Sequence, residues 1–277
     1  MLGQRILTAL VLLAVLLPAL FAPMAWPFAL LTLGFIAAAG WEWGRLNGLA
    51  AAPASGLGAL TAALSLLLAT TQTPQARSMA CILAAAAWLL LGAVALRQGP
   101  TGWQRWPRTL RVALGPLLLG VAWLGLNLAH AAGVVFLLSV MCLVWVADIA
   151  AYAGGRAFGR HKLAPTISPG KTWEGAVSGV LGVLLLAAGW WWADQSLGSS
   201  SPGLSSRLVA LFGVTGAVPL LVLLAGASVL GDLIESLVKR AAGAKDSSRL
   251  LPGHGGVLDR IDALLPVFPL VAALGLT

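Results

Sequence analysis

Long apolar runs alternate with short polar segments along the whole chain of 277 residues. Most runs are close to the roughly 20 residues that an α-helix needs to cross the hydrocarbon core of a bilayer. Backbone groups inside a bilayer have to be hydrogen-bonded within the protein, so such runs predict helices. The pattern predicts an all-α, polytopic integral membrane protein with about nine transmembrane helices. The runs lie at residues 5–22, 26–43, 54–71, 78–96, 110–129, 133–152, 175–193, 208–229 and 263–277, and the short last run leaves open whether it spans fully.

The basic residues between the runs predict the orientation. With the N-terminus in the cytoplasm and the runs alternating in direction, every Lys and Arg except Arg77 and Arg207 falls on the cytoplasmic side. Cytoplasmic loops of membrane proteins carry such an excess of Lys and Arg. All carboxylates except Asp194 also fall at or near that side, which the orientation rule does not require. A cytoplasm-facing site that uses cations and carboxylates together would explain both distributions.

The composition agrees with a membrane protein and excludes other classes. Mean hydropathy is +0.93, and only 9% of the residues are charged. The net charge of +8 follows from topology and contact with anionic lipid head groups, so nucleic-acid binding is not predicted. Cys81 and Cys142 both lie in apolar runs, which predicts reduced packing residues rather than a disulfide framework.

The first candidate site residue is Asp148, near the cytoplasmic end of the sixth run. A carboxylate inside an apolar helix is costly and usually faces protein, water or a cation. The alternative is an interfacial Asp whose side chain reaches the head-group region. Tyr152, the only tyrosine, follows four residues later and therefore lies on the same helix face. We favour a functional site at this face.

A basic, turn-rich loop at residues 154–175 leads into the seventh run. Its segment Ser168-Pro169-Gly170-Lys171-Thr172 is similar to the end of a Walker A loop. However, Pro165 stands where the first glycine belongs, and no strand is predicted before the helix. Backbone N–H groups at the helix start, together with Lys171, would still suit phosphate. An ordinary basic loop is the alternative, and Glu174 fits a helix N-terminal charge and a ligand equally well.

Charge is densest at residues 236–262, which hold five basic side chains, three carboxylates and His254. A solvated loop is the simplest alternative. The segment Pro252–Gly256 predicts an irregular backbone that can approach a ligand closely. Asp259 and Asp262 are three residues apart and share one face of a short helix. Paired carboxylates suit Mg²⁺, and neighbouring Lys and Arg suit phosphates, whereas the Cys and His spacing that zinc needs is missing.

Together these motifs closely resemble the signature of phosphatidate cytidylyltransferases, also called CDP-diacylglycerol synthases. The resemblance is specific from about residue 145 to 265, and the N-terminal half is similar only as apolar spans. It is carried by Asp148-x-x-Ala151-Tyr152, Phe158–Leu163, Ser168–Gly175, Gly231-Asp232-x-x-Glu235-Ser236, Lys239-Arg240, Lys245-Asp246, Pro252-x-His254-Gly255-Gly256 and Asp259-Arg260-x-Asp262.

The resemblance implies transfer of a cytidylyl group from CTP to phosphatidic acid, giving CDP-diacylglycerol and pyrophosphate for phospholipid biosynthesis, with Mg²⁺ as cofactor. The catalytic residues that it implies are Lys239, Arg240, Lys245, Asp246, His254, Asp259 and Arg260. The implied substrate-binding residues are Asp148, Tyr152, Ser168, Lys171, Thr172, Ser236, Gly255 and Gly256. The predicted metal ligands are Asp232, Asp246, Asp259 and Asp262.

Two other functions remain as alternatives. A CTP-dependent lipid-alcohol kinase would need a base for its hydroxyl nucleophile. A membrane transporter would carry polar residues near the bilayer midplane, whereas the charges here collect on one face. The favoured interpretation divides the chain into transmembrane helices at 1–130 and a catalytic region at 131–277 with a cytoplasmic motif at 231–262.

The same interpretation predicts an enzyme in the cell (inner, cytoplasmic) membrane with its site facing the cytoplasm. Gly175, Gly179 and Gly182 predict close helix contacts, either within one chain or between the chains of a homodimer.

Overall fold

The architecture is a bundle of long helices with one small β-hairpin. This computed structural model describes residues 2–71 and 73–277. Met1, at the predicted cytoplasmic N-terminus, lies outside the described residues, as does the side chain of Arg5. The elements in chain order are α1 (Leu2–Leu20), α2 (Trp26–Leu46), α3 (Ala51–Thr71), α4 (Pro74–Arg105), α5 (Arg108–Ala131), α6 (Val134–Phe158), β1 (Lys162–Ala164), β2 (Ser168–Thr172), α7 (Trp173–Leu197), α8 (Leu204–Ala241), α9 (Leu258–Ile261) and α10 (Leu264–Ala273).

Every predicted apolar run overlaps a helix, so the helical part of the prediction is confirmed. Six helices, α3 to α8, are long and apolar enough to cross a membrane by length and composition. The apolar helical segments Ile6–Leu20 and Leu264–Ala273 are shorter. Within the described ranges, the structure supports a polytopic helical membrane protein, and nine full spans stay a prediction.

The hairpin departs from the all-α prediction. Its antiparallel strands place Lys162 opposite Thr172 and Ala164 opposite Ser168, with an irregular register between the two pairs. The expectation that no strand precedes the seventh long helix is wrong, because β2 runs directly into α7. Strands of three and five residues carry too little alternation to be recognised, and Pro and Gly inside β2 argue against a strand.

The short helix α10 lies in the core of the bundle. Every residue from Leu265 to Ala272 is buried, and the helix packs on α4, α5 and α8. At Gly125 of α5, a Cβ atom would lie 2.7 Å from the carbonyl oxygen of Phe268. Only glycine permits this separation of the two backbones. The core therefore fixes α10, and with it Asp262, which lies two residues before the helix begins.

Helices α6 and α7 pack closely along a row of glycines. A Cβ atom at Gly175 would lie 2.7 Å from the carbonyl oxygen of Ala151, and one at Gly179 would lie 2.9 Å from that of Ala147. Small residues permit such approach between membrane helices. The predicted glycine contacts are thus made within one chain, and the homodimer stays a prediction.

Hydrogen bonds between distant segments gather most charged loops at one end of the bundle. The Thr8 hydroxyl donates to the carbonyl oxygen of Pro252 at 3.0 Å, and the Gln104 amide donates to that of Ala241 at 2.6 Å. At the other end, Arg207 donates to the carbonyl oxygens of residues 132 and 276. The one-sided distribution of charge is therefore a property of the fold, while the side of the membrane it faces stays a prediction.

Candidate active site

A cavity of about 490 Å³ opens among α6, β2, α7 and α8 at the charged end of the bundle. Six residues that the sequence singled out line it, namely Asp148, Tyr152, Ser168, Lys171, Thr172 and Asp232. Asp148 and Tyr152 reach it from one face of α6, as their spacing predicts. Pockets with a few convergent polar groups are the usual form of ligand sites, so this cavity is the candidate nucleotide site.

The strongest contact in the cavity wall joins Lys171 to Asp232. The Lys171 Nζ atom lies 2.7 Å from an Asp232 oxygen, and both side chains keep more than a fifth of their surface exposed. The Ser236 hydroxyl donates to the other Asp232 oxygen at 3.3 Å. The hairpin therefore brings an ammonium group, and α8 brings a carboxylate, to the same partly exposed part of the cavity wall.

The start of α7 is already hydrogen-bonded within the protein. The Thr172 hydroxyl accepts the Gly175 N–H at 3.1 Å, which makes Thr172 the N-cap of the helix. The Glu174 carboxylate accepts the N–H groups of Arg160 and His161 and lies 2.6 Å from His161 Nδ1. Glu174 thus orders the loop before the hairpin. The predicted phosphate contact at this helix start depends chiefly on Lys171.

A second polar group is centred on Lys239 of α8. Its Nζ atom lies 2.5 Å from a Glu235 oxygen and 2.6 Å from an Asp259 oxygen. All three side chains are largely buried, with exposed fractions of 13%, 3% and 6% in the order Lys239, Glu235 and Asp259. Long charged side chains are this buried only when they are paired.

Asp259 organises the loop before α9. One of its oxygens accepts the Ser247 N–H at 2.9 Å, the Ser247 hydroxyl at 2.8 Å and the Gly256 N–H at 2.8 Å. Burial alone raises the pKa of Asp259, but hydrogen bonds with Glu235, Lys239 and the two N–H groups together hold that pKa below its ordinary value. Asp259 is therefore a carboxylate whose charge is compensated by the protein.

Asp262 is brought to Asp232 by a contact between backbones. A Cβ atom at Gly231 would collide with the carbonyl oxygen of Asp262 and would lie 2.8 Å from the Pro266 ring, so glycine is needed where α8 meets the start of α10. Burial and the negative charge of Asp232 raise the pKa of Asp262 to about 7. The positive charges of Lys239 and Lys171 lower this pKa without cancelling its rise.

The other predicted catalytic residues occupy the surface of this region. Arg240 donates to the carbonyl oxygens of residues 167 and 244 at 3.4 Å, which ties α8 to the hairpin turn. Arg260 donates twice to the His254 carbonyl oxygen, at 3.0 and 2.6 Å. Lys245 and Asp246 are exposed, and Gly255 has a positive φ of 84° where a Cβ would lie 2.7 Å from Asp259.

Carboxylate oxygens are the type of ligand that a hard divalent cation prefers, but the carboxylates here do not surround a single point. Among the residues that the structure describes, no group of three or more His, Cys, Asp or Glu side chains could hold a metal ion. Mg²⁺ is usually held by only one or two carboxylates, with waters and substrate phosphates completing its shell. Asp232 and Asp262, with Asp148 in the same cavity wall as Asp232, fit that pattern.

One residue of this region, Glu42 of α2, is not predicted from the sequence pattern. Its side chain is fully buried. Four donor groups lie within hydrogen-bond distance of its carboxylate: the Ser248 hydroxyl, the N–H groups of Val257 and Leu258, and the Ser247 hydroxyl, whose single hydrogen is shared with Asp259. The available signal was a carboxylate in an apolar run, the same feature that drew attention to Asp148.

Comparison with known proteins identifies the family of the whole chain. A model of the cytidylyltransferase family matches residues 3–277. The chain is 41% identical to a phosphatidate cytidylyltransferase of Pseudomonas aeruginosa over 279 residues, which cover 99% of this chain and 97% of that protein. It is 38% identical to a protein of the same name from Haemophilus influenzae over 291 residues, covering 97% and 96%. The chain therefore belongs to the cytidylyltransferase family.

Proposed function

We propose that the protein transfers a cytidylyl group from CTP to phosphatidic acid, giving CDP-diacylglycerol and pyrophosphate. The observation that carries the proposal is the cavity in which Lys171, Asp148 and Asp232 converge at the charged end of a membrane bundle. The family match over almost the whole chain supports the reaction type. The names of the two full-length relatives support phosphatidate as the acceptor.

The surroundings of the cavity suit a substrate that is part phosphate and part hydrocarbon. An apolar cavity of about 260 Å³ adjoins the polar one and shares Leu163, Ala176 and Val229 with it. A lipid phosphate at the boundary between the two cavities would have its acyl chains beside apolar walls, where they avoid water. CTP would enter the polar cavity from the aqueous side.

The proposed reaction needs charge compensation more than it needs a base. An oxygen of the lipid phosphate bonds to the α-phosphorus of CTP, and the bond from that phosphorus to the bridging oxygen breaks, releasing pyrophosphate. The attacking phosphate is already anionic near neutral pH, because the second pKa of a phosphate monoester is about 6. The barrier therefore lies in joining two polyanions and stabilising the leaving group, which positioned cations do. Lys171 in the cavity wall supplies one such charge.

We propose Mg²⁺ as the cofactor, with Asp232 and Asp262 as its principal ligands. Both are carboxylates, and they lie where α8 contacts the start of α10. Burial and the negative charge of Asp232 raise the pKa of Asp262, and a bound cation would offset that negative charge. Asp246 and Asp259 remain proposed ligands, although Asp259 already accepts several hydrogen bonds from the protein. Bound Mg²⁺ would neutralise phosphate charge during the transfer.

Product analysis tests the reaction. Purified protein is incubated with labelled CTP, phosphatidic acid and Mg²⁺, and the lipid product is identified. We expect a CDP-lipid together with pyrophosphate. A phosphorylated lipid together with CDP would instead show a CTP-dependent lipid kinase and would overturn the proposal.

We further propose that the enzyme lies in the cell inner membrane with this cavity facing the cytoplasm, as the distribution of Lys and Arg favours. Single cysteines at Leu250 and Leu197, both exposed and at opposite ends of the bundle, test this in a background without Cys81 and Cys142. A membrane-impermeant thiol reagent added to intact cells is expected to label position 197 and not position 250. The reverse pattern would contradict the orientation.

A further inference from the structure

Glu42 connects the N-terminal half of the chain to the loop that carries the densest charge. It belongs to α2, 205 residues away from its first partner in sequence, and its side chain is fully buried. Both carboxylate oxygens are used. Oε1 accepts from the Ser248 hydroxyl at 2.6 Å and the Val257 N–H at 2.9 Å, and Oε2 accepts from the Leu258 N–H at 2.6 Å and the Ser247 hydroxyl at 3.1 Å.

The loop is shaped to admit this carboxylate. A Cβ atom at Gly256 would collide with both the Glu42 carboxylate and the Ser247 hydroxyl, so the loop can close on Glu42 only with glycine at this position. A buried carboxylate is tolerated when charge-assisted hydrogen bonds replace its water. Glu42 therefore holds both ends of residues 247–258, which turn around it.

A continuous series of contacts leads from Glu42 to the charged groups on α8. The Ser247 hydroxyl lies within hydrogen-bond distance of Glu42 and of Asp259, at 3.1 and 2.8 Å. Asp259 in turn lies 2.6 Å from the Lys239 ammonium group. Displacement of the loop would thus displace Asp259 and leave Lys239 without one of its two carboxylate partners.

We propose that Glu42 is a positioning residue for the nucleotidyl transfer, which fixes the loop 247–258 and, through Ser247 and Asp259, the orientation of Lys239. Glu42 itself lines neither the polar nor the apolar cavity. If Glu42 only stabilised the fold, its loss would affect the reaction no more than the loss of another carboxylate that holds a loop. Asp194 is such a carboxylate at the opposite end of the bundle. It is partly buried and accepts the Gly203 N–H at 2.8 Å and the Ser206 hydroxyl at 2.5 Å.

The test compares Glu42→Gln with Asp194→Asn. Each substitution keeps the shape and removes the charge of a carboxylate that holds a loop, but only Glu42 leads to the charged site. For Glu42→Gln we expect kcat to fall by about 10- to 100-fold, the range seen when residues that orient active groups are changed. The KM for CTP should stay close to that of the wild type, since Lys171 is not displaced. Asp194→Asn should keep the wild-type kcat, whatever its thermal midpoint.

A second readout does not depend on the reaction. Amide hydrogen exchange of residues 247–258 should accelerate in Glu42→Gln and remain unchanged in Asp194→Asn. The inference rests on the proposed function only for its kinetic assay. If the wild-type protein made no CDP-lipid, the proposed function would be rejected. The exchange result would still decide whether Glu42 holds the loop. Wild-type kcat in Glu42→Gln, or an equal loss of kcat in both variants at equal loss of thermal stability, would overturn the proposal.

Ser248→Ala keeps the proposal testable if Glu42→Gln cannot be purified in a folded form. The Ser248 hydroxyl supplies one of the four hydrogen bonds to Glu42 and has no contact with Asp259 among the described residues. Its removal should give a smaller fall in kcat in the same direction, together with faster exchange at residues 247–258. Unchanged kcat and unchanged exchange in Ser248→Ala would then reject the role of Glu42.

Discussion

The carboxylates at the charged end of the bundle divide into two regions that differ in how fully the protein satisfies them. Around the loop 247–258, Glu42 and Asp259 are buried and accept hydrogen bonds from hydroxyl and N–H groups of the chain. In the cavity, Asp232 is partly exposed and its main partner is Lys171. Asp262 beside it has a pKa raised to about 7 by burial and by the charge of Asp232.

This difference separates carboxylates that build the site from carboxylates that have capacity left for a ligand. A buried acid whose oxygens are occupied contributes to the fold, and its loss leaves donors without acceptors. An acid with one exposed partner can exchange that partner for a cation or a phosphate-bound ion. The family motif contains carboxylates of both kinds. Their surroundings in the structure distinguish the structural carboxylates from those that can bind a ligand.

The largest expected effect is on stability, from Asp259→Asn. This change removes the charge of one of the two carboxylate partners of the buried Lys239, and breaking a buried ion pair costs about 3–5 kcal/mol. We expect a lower thermal midpoint in detergent and little activity. A variant that unfolds at the wild-type temperature would show that Asp259 belongs with the cavity carboxylates instead.

Asp232→Asn should have the opposite pattern of effects, with stability kept and activity lost. Because Asp232 is partly exposed, its loss should leave the thermal midpoint close to wild type. Activity should fall by roughly 10²-fold or more, as when a group that stabilises reaction charge is removed. The measurement is initial rate against Mg²⁺ concentration, with Asp194→Asn as the matched change at the far end. Near-normal rates and an unchanged Mg²⁺ dependence would contradict the proposed ligand.

Lys171→Ala tests the cationic side of the cavity. Removing this ammonium group should raise the KM for CTP about tenfold or more, since a charge-assisted bond to phosphate is worth more than a neutral one. Lys162 lies on the other strand of the same hairpin and is exposed, so Lys162→Ala is the matched control and should change KM little. Equal effects of the two substitutions would show that Lys171 contributes only general positive charge and makes no specific contact with CTP.

The smallest expected effect comes from Gly231→Ala, which addresses the distance between Asp232 and Asp262. The added methyl group would meet the Asp262 carbonyl oxygen and the Pro266 ring, and such overpacking costs about 1–3 kcal/mol. We expect a lower thermal midpoint together with weaker apparent Mg²⁺ affinity. Gly189→Ala on α7 meets open space, lies outside both cavities and serves as the control. An unchanged Mg²⁺ affinity in Gly231→Ala would argue against a shared ion.

The apolar runs of the chain were sufficient to predict the helices, and the ordered motifs were sufficient to predict the family. Apolar runs of bilayer length have few alternatives to a helix, so α1 to α8 and α10 follow from composition alone. The hairpin was missed because three- and five-residue strands depend on pairing with each other rather than on local pattern. Glu42 was missed because nothing in its neighbourhood in sequence points to a loop that lies more than 200 residues away.

The sequence by itself determined which segments form apolar helices, where the charged segments lie between them and which chemistry the charged groups suit, because these properties depend on residue type and spacing. Only the tertiary structure decided which carboxylates lie at the cavity and which accept hydrogen bonds from the loop. That distinction depends on contacts between backbones, such as Gly231 against Asp262, and on burial, such as that of Glu42 against Gly256. Residue type gives an acid its charge, and its three-dimensional neighbours decide whether that charge remains available to a ligand.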